Sequence, residues 1–208
     1  MFLDAETPVV LQIWRPSFSL HRQEEQIQEE LGSHYDQIAG THARMAAPLA
    51  VPKQAAASNV TVLLLGGDGA EQELVARAIH HWSPRGAKPF VAVKCAAPEN
   101  QLETELLGQE RVDSTGVVKC EPGKIETAKG GTVFLDEIGD MPLSLQGKLW
   151  RLLADATFLR VGGTQAVDAR VRLIVATHRD LPQAVDEGTF RGDLYGKVCS
   201  ITITLPAL

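Results

Sequence analysis

Short apolar runs alternate with longer amphipathic segments between residue 60 and the end of the chain, and this alternation predicts a parallel α/β sheet. Five apolar runs of strand length are predicted to be buried strands, at 60–65, 90–93, 132–135, 171–176 and 201–205. The segments between them have apolar residues at helical spacing and predict helices at 72–81, 101–107, 145–153 and 181–187. The predicted fold class is therefore α/β, with three α/β/α layers around a central, mainly parallel sheet.

The first 35 residues follow a different pattern. A polar stretch at 21–31 predicts a solvated helix that ends at Gly32. Leu20, Ile27 and Leu31 are its apolar positions, and three are too few for a coiled coil. We therefore divide the chain into an N-terminal extension with a linker helix (1–35) and an α/β domain (36–208).

Composition narrows the class of protein. The chain has 208 residues, of which 44% are hydrophobic, enough for one core. The formal net charge of −6 argues against a broadly basic surface, so we expect no direct DNA binding. Cys95, Cys120 and Cys199 form no CxxC pair and predict reduced thiols rather than a metal site. No apolar run reaches the roughly 20 residues that a membrane helix needs, and no signal peptide is visible, so we expect a cytoplasmic location.

The turn between the first predicted strand and the first predicted helix lies where a phosphate-binding loop would be. Such a loop has glycine, four residues, glycine-lysine and then serine or threonine. Here Glu71 takes the place of the second glycine and Gln72 that of the lysine. A carboxylate at this place opposes the anion that a helix N-terminus would otherwise attract. The candidate nucleotide-binding residues of the turn are Gly66, Gly67, Asp68, Gly69, Ala70, Glu71, Gln72 and Glu73.

Two adjacent carboxylates, Asp136 and Glu137, follow the apolar run at 132–135. In a P-loop ATPase the first acid of such a pair holds magnesium and the second polarises the attacking water. The alternative is that the pair only ends a strand and caps the next segment. The glycine-rich turn upstream favours the catalytic interpretation.

Many stretches of residues 36–208, in order, resemble the AAA+ domain of sigma-54-dependent bacterial transcription activators, also called enhancer-binding proteins. The matching stretches are 73–80, 83–85, 89–93, 95–97, 130–142, 160–163, 176–181 and 190–195. The resemblance implies a P-loop NTPase core of the AAA+ type. It also implies a hexameric ring that hydrolyses ATP between subunits and pushes a surface loop against the sigma-54 polymerase.

Compared residue by residue, the chain lacks several of the residues that the family has at its nucleotide site. Glu73 keeps the family's glutamate, but Glu71 and Gln72 depart from its phosphate grip. Lys94 replaces an asparagine that holds the catalytic glutamate in the family, and we predict an ion pair between Lys94 and Glu137 instead. His178 stands where the family commonly has a sensor asparagine, and it still offers one hydrogen bond.

The two contact regions that the family uses outside the nucleotide turn are also altered. The polymerase-touching loop reads Gly-Ala-Phe-Thr-Gly-Ala in the family, and only Thr115 and Gly116 remain of it here, so we do not expect sigma-54 contact by that route. Arg191 matches the first of two arginines that reach a neighbour's nucleotide, whereas the second is Lys197, which lacks the planar fork that suits phosphate. The loop residues are Val112, Asp113, Ser114, Thr115, Gly116 and Val117.

These losses together predict a pseudo-ATPase that works through protein contacts, with itself or with a related AAA+ activator. Asp136, Glu137 and Arg191 are then vestigial catalytic residues. No cofactor is expected, except MgATP or MgADP with Asp136 on the metal if the site retains affinity. The alternatives are a weakly active ATP-binding activator domain, or a truncated remnant, because the chain ends without the helical lid and helix-turn-helix of the family.

Overall fold

The fold is described from a computed structural model. It covers residues 55–66, 69–112 and 114–205, and the side chain of Ala70 is excluded. The predicted N-terminal extension and its helix lie outside the described residues, as do Gly67, Asp68 and Asp113.

A five-stranded sheet forms the centre of the domain, and every pairing in it is parallel. Its strands lie side by side in the order 90–94, 132–136, 172–177, 62–65 and 201–204. All five predicted strands are therefore confirmed, with ends that differ by one or two residues. The strands are β1 (Val62–Leu65), β2 (Phe90–Lys94), β5 (Thr132–Asp136), β8 (Arg172–Thr177) and β9 (Ile201–Thr204).

The four predicted helices are also present, and two more were not predicted. The helices are α1 (Gly69–His81), α2 (Glu99–Leu107), α3 (Lys124–Thr127), α4 (Leu143–Asp155), α5 (Leu181–Asp186) and α6 (Gly192–Val198). A single 3₁₀ turn, Ile138–Asp140, follows β5. The sequence analysis missed the short helices α3 and α6, the second of which has glycine at two of its seven positions.

The sheet has a hydrophobic core on each face. Along β1, Val62 and Leu64 pack against α1, whereas Leu63 between them packs against the helices of the opposite face. This alternation is the period of two expected of a strand whose two faces are both buried. The predicted fold class, a three-layer α/β/α core with a parallel sheet, is confirmed.

Two antiparallel hairpins, neither of them predicted as strands, lie outside the central sheet. The first pairs β3 (Gly108–Val112) with β4 (Val118–Pro122), and the second pairs β6 (Thr157–Leu159) with β7 (Ala166–Asp168). Among the described residues, no helix has the length and apolar character needed to cross a bilayer.

Candidate nucleotide site

The turn after β1 is held in a conformation that requires glycine. Gly66 has a φ of 74°, and a Cβ placed on it would lie 2.7 Å from the carbonyl oxygen of Leu205. Three residues later the helix α1 begins at Gly69. The predicted strand, turn and helix are therefore present, whereas the contributions of Gly67, Asp68 and the Ala70 side chain lie outside the described residues.

Gln72, at the place of the phosphate-binding lysine, is folded back onto the turn. Its side chain is buried, and Nε2 donates a 2.9 Å hydrogen bond to the carbonyl oxygen of Gly66. The amide oxygen of the same side chain is buried and has no hydrogen-bond partner among the described residues. A neutral amide thus lies where a phosphate loop would present an ammonium group.

Glu73, one residue further along α1, is engaged with its own helix. Its carboxylate accepts hydrogen bonds from Nε and Nη2 of Arg77, at 3.0 and 2.7 Å, and the Arg77 guanidinium lies over the ring of Phe90. Glu71 is half-buried beside it in the first turn. The start of this helix therefore has two carboxylates. The arginine of α1, Arg77, is paired with one of them.

Asp136 and Glu137 lie at the carboxyl end of β5, next to the turn. Oδ2 of Asp136 would be 3.7 Å from a Cβ at Gly69, which places this carboxylate against the start of α1. Oδ1 of Asp136 is buried, and no residue that the structure describes forms a hydrogen bond with it. Burial raises the pKa of Asp136, and the neighbouring Glu137 and Glu73 carboxylates raise it further. The predicted acidic pair and the glycine turn are thus brought together.

Glu137 has a left-handed backbone, with φ 56° and ψ 51°, which costs a non-glycine residue about 1–2 kcal/mol. Its Oε2 lies 2.7 Å from Nδ1 of His178 and 3.4 Å from the backbone nitrogen of that residue. This hydrogen bond and the negative charge of Glu137 raise the pKa of His178 above its ordinary value. Both predicted residues therefore belong to one site at the carboxyl ends of β5 and β8.

The predicted ion pair between Lys94 and Glu137 was wrong. No such pair forms among the described residues, because the Glu137 carboxylate is directed to His178. Lys94 ends β2 in register with Asp136, and its positive charge acts to lower the pKa of that carboxyl group. Lys94 thus faces the first acid of the pair rather than the second.

The sequence of the chain matches the family model described as the sigma-54 interaction domain over residues 38–204. The chain belongs to this family. It is 48% identical to a Nif-specific regulatory protein of Azorhizobium caulinodans, over 77% of this chain and 26% of that protein. It is 49% identical to the DNA-binding transcriptional regulator NtrC of Escherichia coli, over 73% of this chain and 32% of that protein.

The chain is also similar to solved structures. The crystal structure of NtrX from Brucella abortus has 35% identity and a TM-score of 0.76, covering 90% of this chain and 41% of that one. The same protein in complex with ATP has 38% identity and a TM-score of 0.73, covering 81% and 38%. The chain spans only about a quarter to a third of the length of the two curated relatives named above.

Within the sigma-54 interaction domain, Arg191 lies apart from the acidic pair. It is the residue before α6, where its guanidinium pairs with Asp193 at 3.0 and 2.6 Å. Its backbone nitrogen donates to Oε1 of Gln146, a buried glutamine of α4 that the sequence analysis overlooked. Lys197 is six residues further, about 9 Å along the helix axis, and it lines a separate cleft with Val60. The exposed side chain of Arg191 and that of Lys197 therefore do not lie side by side.

Val112 and residues 114–117, from the predicted polymerase-contact loop, lie at the tip of the hairpin β3–β4. The three valines Val112, Val117 and Val118 are 69%, 55% and 55% exposed there. Ser114, Thr115 and Gly116 form the exposed turn between the strands. The described part of this tip is therefore exposed, and its apolar side chains are valines.

Arg160 anchors the base of this hairpin. Its guanidinium pairs with Glu110 of β3 at 2.8 Å and with Glu126 of α3 at 2.7 Å. The hydrogen bond from Arg160 holds the pKa of Glu126 below its ordinary value. Glu110 is opposite Cys120 of β4, whose side chain is exposed. Arg160 lies in one of the matching stretches, but the sequence alone gave no role for it.

Proposed function

We propose that this chain is a sigma-54-activator-type AAA+ domain that does not hydrolyse ATP at its own site and acts in transcription regulation through protein contacts. The observation that carries the proposal is the amide of Gln72, which is buried and bonded to Gly66. The names of the similar regulatory proteins support a role in transcription regulation. We propose that this chain takes part in it by contacting other proteins.

The residues of the turn are a poor fit to the polyphosphate of MgATP. A charge-assisted hydrogen bond contributes roughly 1.5–3 kcal/mol, so the loss of the lysine ammonium at Gln72 would weaken binding about ten- to a hundredfold. A carboxylate such as Glu71 at about 4 Å from a phosphate would add repulsion of up to about 4 kcal/mol at an effective dielectric of 20. Burial is the main cause of the raised pKa of Asp136, and the carboxylates of Glu137 and Glu73 raise it further.

Calorimetric titration with MgATP and MgADP tests this proposal. We expect no binding to the wild-type chain at millimolar nucleotide, and recovered binding in the double variant E71G/Q72K, which restores the glycine and the lysine. Q101K, on the exposed surface of α2, is the control that adds one positive charge elsewhere. Micromolar binding to the wild type, or equal gains in Q101K and E71G/Q72K, would refute the proposal.

A weakly active ATP-binding domain is the second candidate. Asp136 lies beside the start of α1, and the related NtrX has been solved with ATP. If this candidate is right, the same titration detects nucleotide binding to the wild type, with Asp136 as the residue that would hold magnesium. D136N should then abolish the magnesium dependence of that binding.

The proposed partner is another AAA+ protomer, either a second copy of this chain or a related activator. Arg191 supports the proposal because it is exposed before α6, with a guanidinium that only Asp193 engages among the described side chains. The hairpin tip is the second candidate contact surface. Its valines keep an apolar tip, but the lost aromatic residue argues against sigma-54 contact by the family's route.

A further inference from the structure

Three consecutive residues at the carboxyl end of β8 contact the turn that follows β5. Thr177 lies so close that a Cβ on Gly139 would be 2.9 Å from its Oγ1. Arg179 donates from Nη1 to the carbonyl oxygen of Gly139 at 2.8 Å. Between them, His178 engages Glu137. The turn is therefore fixed against β8 by its backbone, and the Glu137 side chain is fixed separately by an imidazole.

Two donors of His178 converge on one oxygen atom. Nδ1 and the backbone nitrogen of His178 lie 2.7 and 3.4 Å from Oε2 of Glu137. Glu137 makes this contact from a left-handed backbone conformation. Strain at a residue of this kind is kept when the surroundings determine its conformation, and it is concentrated at functional sites. The contact is therefore a defined arrangement rather than a chance approach of two surface groups.

We infer that His178 is a positioning residue that latches the Glu137 carboxylate to the end of β8. Lys94 does not take part, because its charge acts on Asp136. Each acid of the pair thus has a different basic neighbour. While the latch is closed, Glu137 is turned to His178 and is not free to polarise water, which adds a second block beside the one at Gln72.

The charged groups around the imidazole favour the closed latch. Glu137 contributes most to the raised pKa of His178, and Asp140 adds to it, whereas Arg179 and partial burial oppose it. Arg179 is itself paired with Asp140 at 3.3 Å. A carboxylate that loses its charge would therefore remove the main stabilisation of the protonated imidazole.

Nitrogen-15 NMR of the histidine side chains tests the latch on the unliganded protein, so the result does not depend on whether nucleotide binds. The His178 signal is assigned by its loss in H178N. We expect E137Q to lower the pKa of His178 toward its ordinary value and to change the Nδ1 shift. K94M, which removes the charge without supplying a new hydrogen-bonding partner, is the matched control and should leave both unchanged, because Lys94 is not the partner of Glu137.

A second measurement covers the case in which E137Q fails to fold. Carbodiimide modification of Glu137, followed by peptide mass spectrometry, should be several-fold faster in H178A than in the wild type, with the rate at exposed Glu105 as the internal reference. Unchanged His178 signals in E137Q, or an equal modification rate in H178A, would overturn the inference. So would a pKa change of His178 in K94M as large as that in E137Q.

Discussion

At the scale of single residues, the side chains of the candidate site are held by partners from other parts of the fold. The substitutions at Gln72 and Lys94 were visible as departures from a motif. The fold of Gln72 onto Gly66 and the pairing of Glu137 with His178 were not visible, since a side chain chooses among partners that only the folded chain brings together. The candidate residues were thus predictable, and their contacts were not.

Gly66 gives a test of backbone conformation in the candidate site. G66A should destabilise the domain by about 2–5 kcal/mol, because alanine is strained at φ 74° and its Cβ would lie 2.7 Å from the Leu205 carbonyl. G188A is the control, since Gly188 has a φ of 71° with open space around it and should lose only about 1–2 kcal/mol. Urea unfolding measures both, and equal losses would show that the close approach is absent.

His80 is buried and should make the domain less stable in acid. Its Nδ1 lies 2.9 Å from Oγ1 of Thr132, and burial lowers its pKa from 6.5 to about 4. The unfolded chain therefore binds a proton between these pH values that the folded chain does not. Stability is lost as the pH falls through this window, by up to about 1.4 kcal/mol per pH unit.

The variant H80Q removes this titration while retaining a hydrogen-bonding side chain. Urea unfolding at several pH values between 7 and 4 should give a shallower loss of stability for H80Q than for the wild type. H81Q is the control, because His81 is exposed on the same helix. Parallel pH profiles for the wild type and H80Q would contradict the prediction.

At the scale of elements, the pattern of apolar residues predicted the strands that contribute to the core and missed the hairpin β3–β4, which contributes little to it. The inner strands β1, β5 and β8 are buried, mostly apolar runs, and the edge strands β2 and β9 each have buried or half-buried apolar residues, which made all five predictable. The strands β3 and β4 lie outside the central sheet, where β3 is bridged at Gln109 to Val161 and every residue of β4 is exposed. The half-buried positions of β3 are polar, so apolar periodicity could not identify this hairpin. A Ser-Thr-Gly turn between two short runs was the available signal.

The ion pairs of Arg160 should hold the hairpin β3–β4 to the body of the domain. R160M would leave the carboxylates of Glu110 and Glu126 half-buried without their cation, at a cost of about 1–3 kcal/mol. Hydrogen exchange of the backbone amides at 108–122 should become faster in R160M, with little change in the central sheet.

Lys129 provides the comparison for this element. It forms an exposed pair with Asp168 at 3.7 Å, and such pairs contribute about 0–1 kcal/mol. K129M should therefore leave hairpin exchange unchanged. If R160M and K129M behave alike, the Arg160 pairs do not secure the hairpin.

At the scale of the whole molecule, the proposed function depends on assembly. Sedimentation velocity of the chain mixed with the corresponding domain of the 49% identical NtrC should show a species larger than either alone. R191A should weaken this association, because it removes an exposed guanidinium before α6. R151A, an exposed arginine of α4, is the control. A mixture that sediments as two independent components, with no self-association of the chain either, would exclude the protomer as the partner.

The exposed thiol of Cys120 makes the hairpin a natural attachment point for a fluorescent reporter. Cys95 is buried, and burial raises the pKa values of both Cys95 and Cys199, so these two thiols react slowly at neutral pH. A maleimide dye should therefore label the chain almost entirely on β4. Its emission would report what approaches the valine tip, in real time and without any substitution in the protein.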